Sequence, residues 1–211
     1  TATSTEEVVT TATSTEPVIV VEPEIIDGPP IVINEIAWMG TKAQANDEWI
    51  ELYNKTNSDI DLSGWTLESK NKQPNIILAG VIPARGYFLL ERTASTTTDQ
   101  LENMVYTGAL NNAGPDANLY LKNGTTTVDF IAYGSNWYAG DNGGKRTMER
   151  VSPYATSTLS FNWKTYSETS APPFAKDAKD GDILGTPGAK NSVTGYYTPA
   201  EIVTTDTVWR K

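Results

Sequence analysis

The sequence predicts an all-β domain, a sandwich or barrel, set between two extended tails. Three observations carry this expectation. Short runs of alternating hydrophobicity recur from Ile31 onward, clusters of Gly, Asn, Asp and Pro separate them, and helix-length periodicity is scarce.

The leader, residues 1–30, opens on a direct repeat. TATSTEEVVT and TATSTEPVIV match at seven of ten positions, far too short a unit to build a solenoid. Pro17, Pro23, Pro29 and Pro30 fix φ and bias their predecessors toward extended backbone. Within this leader the β-branched residues Val18, Ile19, Val20, Val21 and Ile25 read as a strand seeking a sheet edge.

The domain proper, residues 31–192, shows seven readable strands: 31–38, 48–54, 62–69, 86–92, 118–122, 127–134 and 146–152. In EWIELYN, Ile50 and Leu52 point to one face, and Trp49, Glu51 and Tyr53 to the other. LKNGTTTVDF reads as a hairpin about Asn123-Gly124, with Leu119 and Leu121 before the turn and Val128 and Phe130 after it. GTPGAKN, residues 185–191, closes the domain. Residues 193–211 are again extended and β-prone, a tail or the start of a linker.

Composition excludes much chemistry. Among 211 residues there is no cysteine and no histidine, so disulfides, thiolate zinc sites and histidine-based catalysis are all ruled out. The net charge of −10 leaves little affinity for a phosphate backbone, so no nucleic-acid partner is expected. The longest apolar runs, VIVV and IILAGVI, fall far short of the ~18 residues of a membrane span. A start at Thr1 and an uncapped end at Trp209-Arg210-Lys211 point to a mature product or a fragment. The Thr/Ser/Asn/Gly-rich β composition points to the cell surface or the extracellular space.

The motifs INEIAWMG, DEWIELYN, IDLSGWTL, GYFLLER, WYAG, TMER, FNW and GTPGAKN, in this order over about residues 31–191, resemble the bacterial lamin tail domain. The resemblance implies an immunoglobulin-like β-sandwich without catalytic residues. It also implies an accessory module on exported or surface proteins in bacteria, and filament-associated contacts in nuclear lamins. Its signature positions Trp38, Trp49, Trp65, Tyr87 and Phe88 are expected to fill or rim the core, and Gly64 and Gly86 to sit where a Cβ would obstruct the chain. Glu35, Glu48, Glu51 and Arg92 are expected to form cross-strand pairs.

Candidate chemistry is sparse. Asp177, Asp180 and Asp182 place three carboxylates and a glycine in KDAKDGD, a weak calcium pattern that lacks the EF-hand spacing and is diluted by Lys176 and Lys179. No other cofactor is suggested. Asp59 and Asp61 read as turn residues. Tyr133, Trp137 and Tyr138 sit on a Gly-rich loop, where exposed aromatics would stack on a carbohydrate or a partner. No carboxylate pair or phosphate loop marks an enzyme. Two readings follow. One is a structural or adhesive surface protein, a fibre subunit that joins itself or its neighbours by strand addition through its tails. The other is a carbohydrate- or partner-binding accessory domain of a larger exported enzyme.

Overall fold

The structure is a computed structural model and describes residues 28–131 and 136–194. The leader run from Val18 to Ile25, the aromatic Tyr133 and the tail from 195 onward lie outside the described residues. In chain order the strands are β1 (Ile31–Ala37), β2 (Trp49–Asn54), β3 (Ile60–Asp61), β4 (Trp65–Glu68), β5 (Asn75–Ile77) and β6 (Val81–Ile82). They continue with β7 (Tyr87–Arg92), β8 (Met104–Tyr106), β9 (Leu119–Asn123), β10 (Thr126–Ile131), β11 (Met148–Arg150) and β12 (Trp163–Thr165), the last preceded by a 3-10 turn, Ser160–Asn162.

Two sheets make the sandwich. One has six strands in the order β12-β11-β1-β2-β7-β8, antiparallel except for β7–β8; the other has four, β10-β9-β4-β5. A small β3–β6 pair completes the set. Register partners in an antiparallel pair share a face, so the register fixes what lies between the sheets. Ile33, Leu52 and Phe88 form one row there, and Ile36, Ile50 and Leu90 the next. Facing them from the small sheet are Trp65, Leu67, Ile76, Leu119, Leu121 and Ile131, all buried. Ile50 and Leu52 thus share the face that their alternation predicts.

Two bulges shift the phase of the pattern. In β1 the register slips between Ile33 and Glu35, which turns Ile33 and Ile36 inward although three positions separate them. In β10 it slips between Thr127 and Asp129. The hairpin forms about Asn123-Gly124; Asp129 and Ile131 are its buried positions after the turn, Val128 packs partly buried at the bulge, and Phe130 stacks on Tyr120 with ring centroids 5.7 Å apart.

Three further expectations change. Trp65 and Phe88 lie in the sandwich core, but Trp49 sits on the opposite face of β2, buried there between Ala37 and Glu91 of the flanking strands. Tyr87 lies on that same outer face against Tyr53, with ring centroids 5.1 Å apart. Gly64 has open space where its Cβ would be and is needed for its φ of +83°; at Gly86 a Cβ would come within 3.0 Å of Pro83.

An Asp–Arg pair ties the sheets together at the β10–β11 end. Asp129 accepts from Arg150 Nη1 at 2.7 Å, from the Ile33 amide at 2.9 Å and from Ser157 Oγ at 2.6 Å. Arg150 also donates to the carbonyls of Ile33 and Ala155, so the buried guanidinium is held at several points.

Candidate functional site

The outer face of the six-stranded sheet is not a solvent face. Along one row of it the register aligns Glu149 of β11 with Glu35 of β1, and Glu35 with Glu51 of β2. All three are fully buried. Their cover is the segment 185–193. Thr186 donates its amide to Glu35 at 3.0 Å, Gly188 its amide to Glu51 at 2.5 Å, and Ser192 its amide to Glu149 at 3.1 Å. Asn191 clamps the segment down, donating to the carbonyls of Asn34 at 3.1 Å and Arg150 at 2.9 Å. Gly185 permits this approach, because a Cβ there would stand 2.7 Å from Glu35 Oε1.

Burial governs the acidity of this row. It pushes Glu35 well above the usual carboxylate range, and the charges of Glu149 and Glu51 push in the same direction. Burial likewise raises Glu51, against hydrogen bonds from Asn34 and Gly188, and raises Glu149, against those from Ser192 and Thr186. The expected cross-strand pairs are therefore corrected for Glu35 and Glu51: like groups face one another, and neither carboxyl is ion-paired among the described residues. Glu48 and Arg92 do pair, at 3.2 Å; burial nonetheless raises Glu48 to about 7.

The acidic loop organises itself instead of gathering a cation site. Asp177 turns inward and accepts from the amides of Ala43 at 3.0 Å, Lys179 at 2.9 Å and Gly181 at 2.9 Å. Asp182 turns outward and pairs with Lys176, and Asp180 occupies a left-handed turn position with φ +60°. Among the described residues no group of three acids is placed to hold a metal ion. Backbone amides take the oxygens of Asp177 and a lysine pairs with Asp182, so the three acids point apart. Asp59 and Asp61 are turn acceptors, for Ala84 and Ser63 respectively.

The aromatic loop is also engaged. Trp137 is buried and donates to the Asn111 carbonyl at 2.9 Å; Tyr138 donates to the Thr158 carbonyl at 3.1 Å. Ligand contact through Trp137 is thereby corrected to packing. No described helix is long and apolar enough to cross a membrane.

Among the described residues, one side of the sandwich is left open. The large sheet ends at β8 and the small one at β5, and these edges lie on the same side, where Gly108 packs against Pro74. Leu101, Ile77 and Val105 are 89%, 72% and 39% exposed there. A groove of about 430 Å³ adjoins them, lined in part by Thr98, Gln100, Leu101, Glu102 and Asp177.

A family profile described as Lamin Tail Domain matches residues 27–135, more than half of the chain. The chain belongs to the lamin tail domain family. Lamin tail domains are immunoglobulin-like structural domains that mediate protein interactions, and the family is not a catalytic one. No curated protein matches the chain. In this lamin tail domain the fold runs well past the matched region: β11, β12 and the segment over the carboxyl row all follow residue 135. Sequence reasoning missed Glu149, Asp129 and Thr186. The signal for Glu149 and Thr186 was TMER and GTPGAKN among the motifs, without a sign of which face they serve; Asp129 lay unmarked in the hairpin run.

Proposed function

We propose that this lamin tail domain is a non-catalytic interaction module of an extracellular or cell-surface protein, and that its copies join by β-strand addition. In this reading Val18, Ile19, Val20, Val21 and Ile25 of one copy pair along the β8 edge of the next. The observation that carries the reading is the β8 edge itself, where Val105 stands exposed on a strand with no further neighbour among the described strands, with the exposed Leu101 in the segment just before it. An added strand gains main-chain hydrogen bonds, and its alternate side chains find separate surroundings: Val18 and Val20 on one side, Ile19 and Val21 on the other. Repetition of such a head-to-tail contact need not close and leads to a fibre.

The alternative, a carbohydrate- or partner-binding accessory domain of an exported enzyme, relies on loop aromatics. Trp137 and Tyr138 are engaged within the fold, which favours strand addition.

The test is a fluorescent peptide of residues 16–27 titrated with a protein of residues 28–194. Saturable binding is expected, weakened by Val105→Glu, which sets a charge on the edge against Glu22 and Glu24. No binding, or binding indifferent to Val105→Glu, would contradict the reading.

A further inference from the structure

The carboxyl row carries an inference of its own, independent of assembly. Thr186 Oγ1 lies 2.6 Å from Glu35 Oε2, 2.9 Å from Glu149 Oε1 and 3.4 Å from Asn191 Oδ1. A hydroxyl has one hydrogen to give, so it satisfies one of these acceptors. The other close oxygens are reconciled if a carboxyl carries a proton and donates it to the hydroxyl. Thr147 Oγ1, 2.5 Å from Glu35 Oε1, and Ser192 Oγ, 2.5 Å from Glu149 Oε2, fix the remaining oxygens of the pair. Three ionised carboxylates in adjacent register, without a cation, would repel one another across the sheet.

We propose that the segment 185–193 is a pH-dependent latch, closed over β11, β1 and β2 while the Glu35, Glu51 and Glu149 row holds protons and opened as the row ionises.

Among the described residues no cation is ion-paired to the row; the buried Lys55, just past β2, lies over the Tyr154 ring. Lys164 of β12 is the register partner of Glu149 but is exposed, and Lys190 on the segment itself points to solvent; neither is ion-paired to the row among the described residues. Arg150, on β11, is turned to the other face, toward Asp129. From β7 and β2 the row meets the phenols of Tyr87 and Tyr53, and after β12 that of Tyr166. Burial holds Tyr166 above its ordinary value, with the charges of Glu149 and Glu168 adding to it, so it remains neutral beside the row. Asp182 and Glu168 lie farther out and carry negative charge of their own.

The direction follows from linkage. Carboxyls that bind protons more tightly under the latch than in the open chain favour closure below the open-chain value of about 4.3 and lose that contribution as pH rises through the raised values. Burial raises Glu51 to about 8, so the window runs from mildly acid to mildly alkaline pH.

Hydrogen exchange of the full chain at about pH 5 and about pH 9, corrected for the intrinsic rate at each pH, tests the latch. The amides of Thr186, Gly188 and Ser192 should lose about tenfold or more protection at the higher pH, the effect of one unit of differential proton binding, while β4 and β9 keep theirs. Glu35→Gln, which leaves the row one ionising group fewer, should open less than the wild type at the higher pH. Equal protection at both pH values, loss spread evenly over both sheets, or a Glu35→Gln protein that opens as the wild type does, would each overturn the proposal. Should Glu35→Gln fail to fold, the wild-type comparison between latch and small sheet decides alone.

Discussion

Replacing Asp129 by alanine should lower the unfolding free energy by about 3–5 kcal/mol, among the largest effects of any single substitution in this protein. Asp129 and Arg150 are both buried, one on each sheet, and the carboxylate also takes the Ile33 amide at the β1 bulge and the Ser157 hydroxyl. Its removal leaves a guanidinium in the interior without its counter-ion and the Ile33 amide without its acceptor, while Ser157 keeps the Phe130 carbonyl. The carbonyls of Ile33 and Ala155 still receive Arg150, which sets the upper limit on the loss. The double variant Asp129→Leu with Arg150→Met should recover much of the stability, because the charge and its partner leave together. Breaking the exposed Lys176–Asp182 pair should change stability little. Denaturant unfolding, with an unchanged slope to certify the comparison, measures all three.

Trp49→Ala should cost about 3–5 kcal/mol as well, although Trp49 is on the outer face of its sheet. An outer-face aromatic on an ordinary sandwich would be half solvated and cheap to lose. Here Trp49 is walled in by Gly40, Thr41, Thr147, Ile183 and Leu184, so the large sheet is packed on both sides. Ile77→Ala, on the uncovered outer face of the small sheet, should cost far less. Thermal unfolding of the two variants side by side distinguishes a sheet covered on both faces from one covered on a single face.

That second cover marks where the sequence stopped being legible. Alternation in EWIELYN placed Ile50 and Leu52 together, and the register agrees. The same alternation made Glu51 look like a solvent residue. Its cover comes from Gly188, 137 positions away, and the neighbouring Asn34 meets Asn191 at a separation of 157. Local periodicity carries no information at that range. The bulges hid in a similar way, since one extra residue at Asn34 or Val128 reverses the faces of everything beyond it. The five strands that the sequence did not show, β3, β5, β6, β8 and β12, are among the shortest, with two or three residues each, too few for an alternation to register. One of them, β8, is the edge on which the functional reading depends. The acidic loop failed for a different reason: spacing showed three carboxylates, but not that backbone amides would claim Asp177.

In the proposed assembly the domain joins other chains through its leader and an open edge. Multi-angle light scattering on the full chain and on residues 28–194, at the same concentrations, tests it most directly. A mass that grows with concentration is expected for the full chain, and a constant monomer mass for residues 28–194. Equal monomer masses for both at every concentration would contradict it.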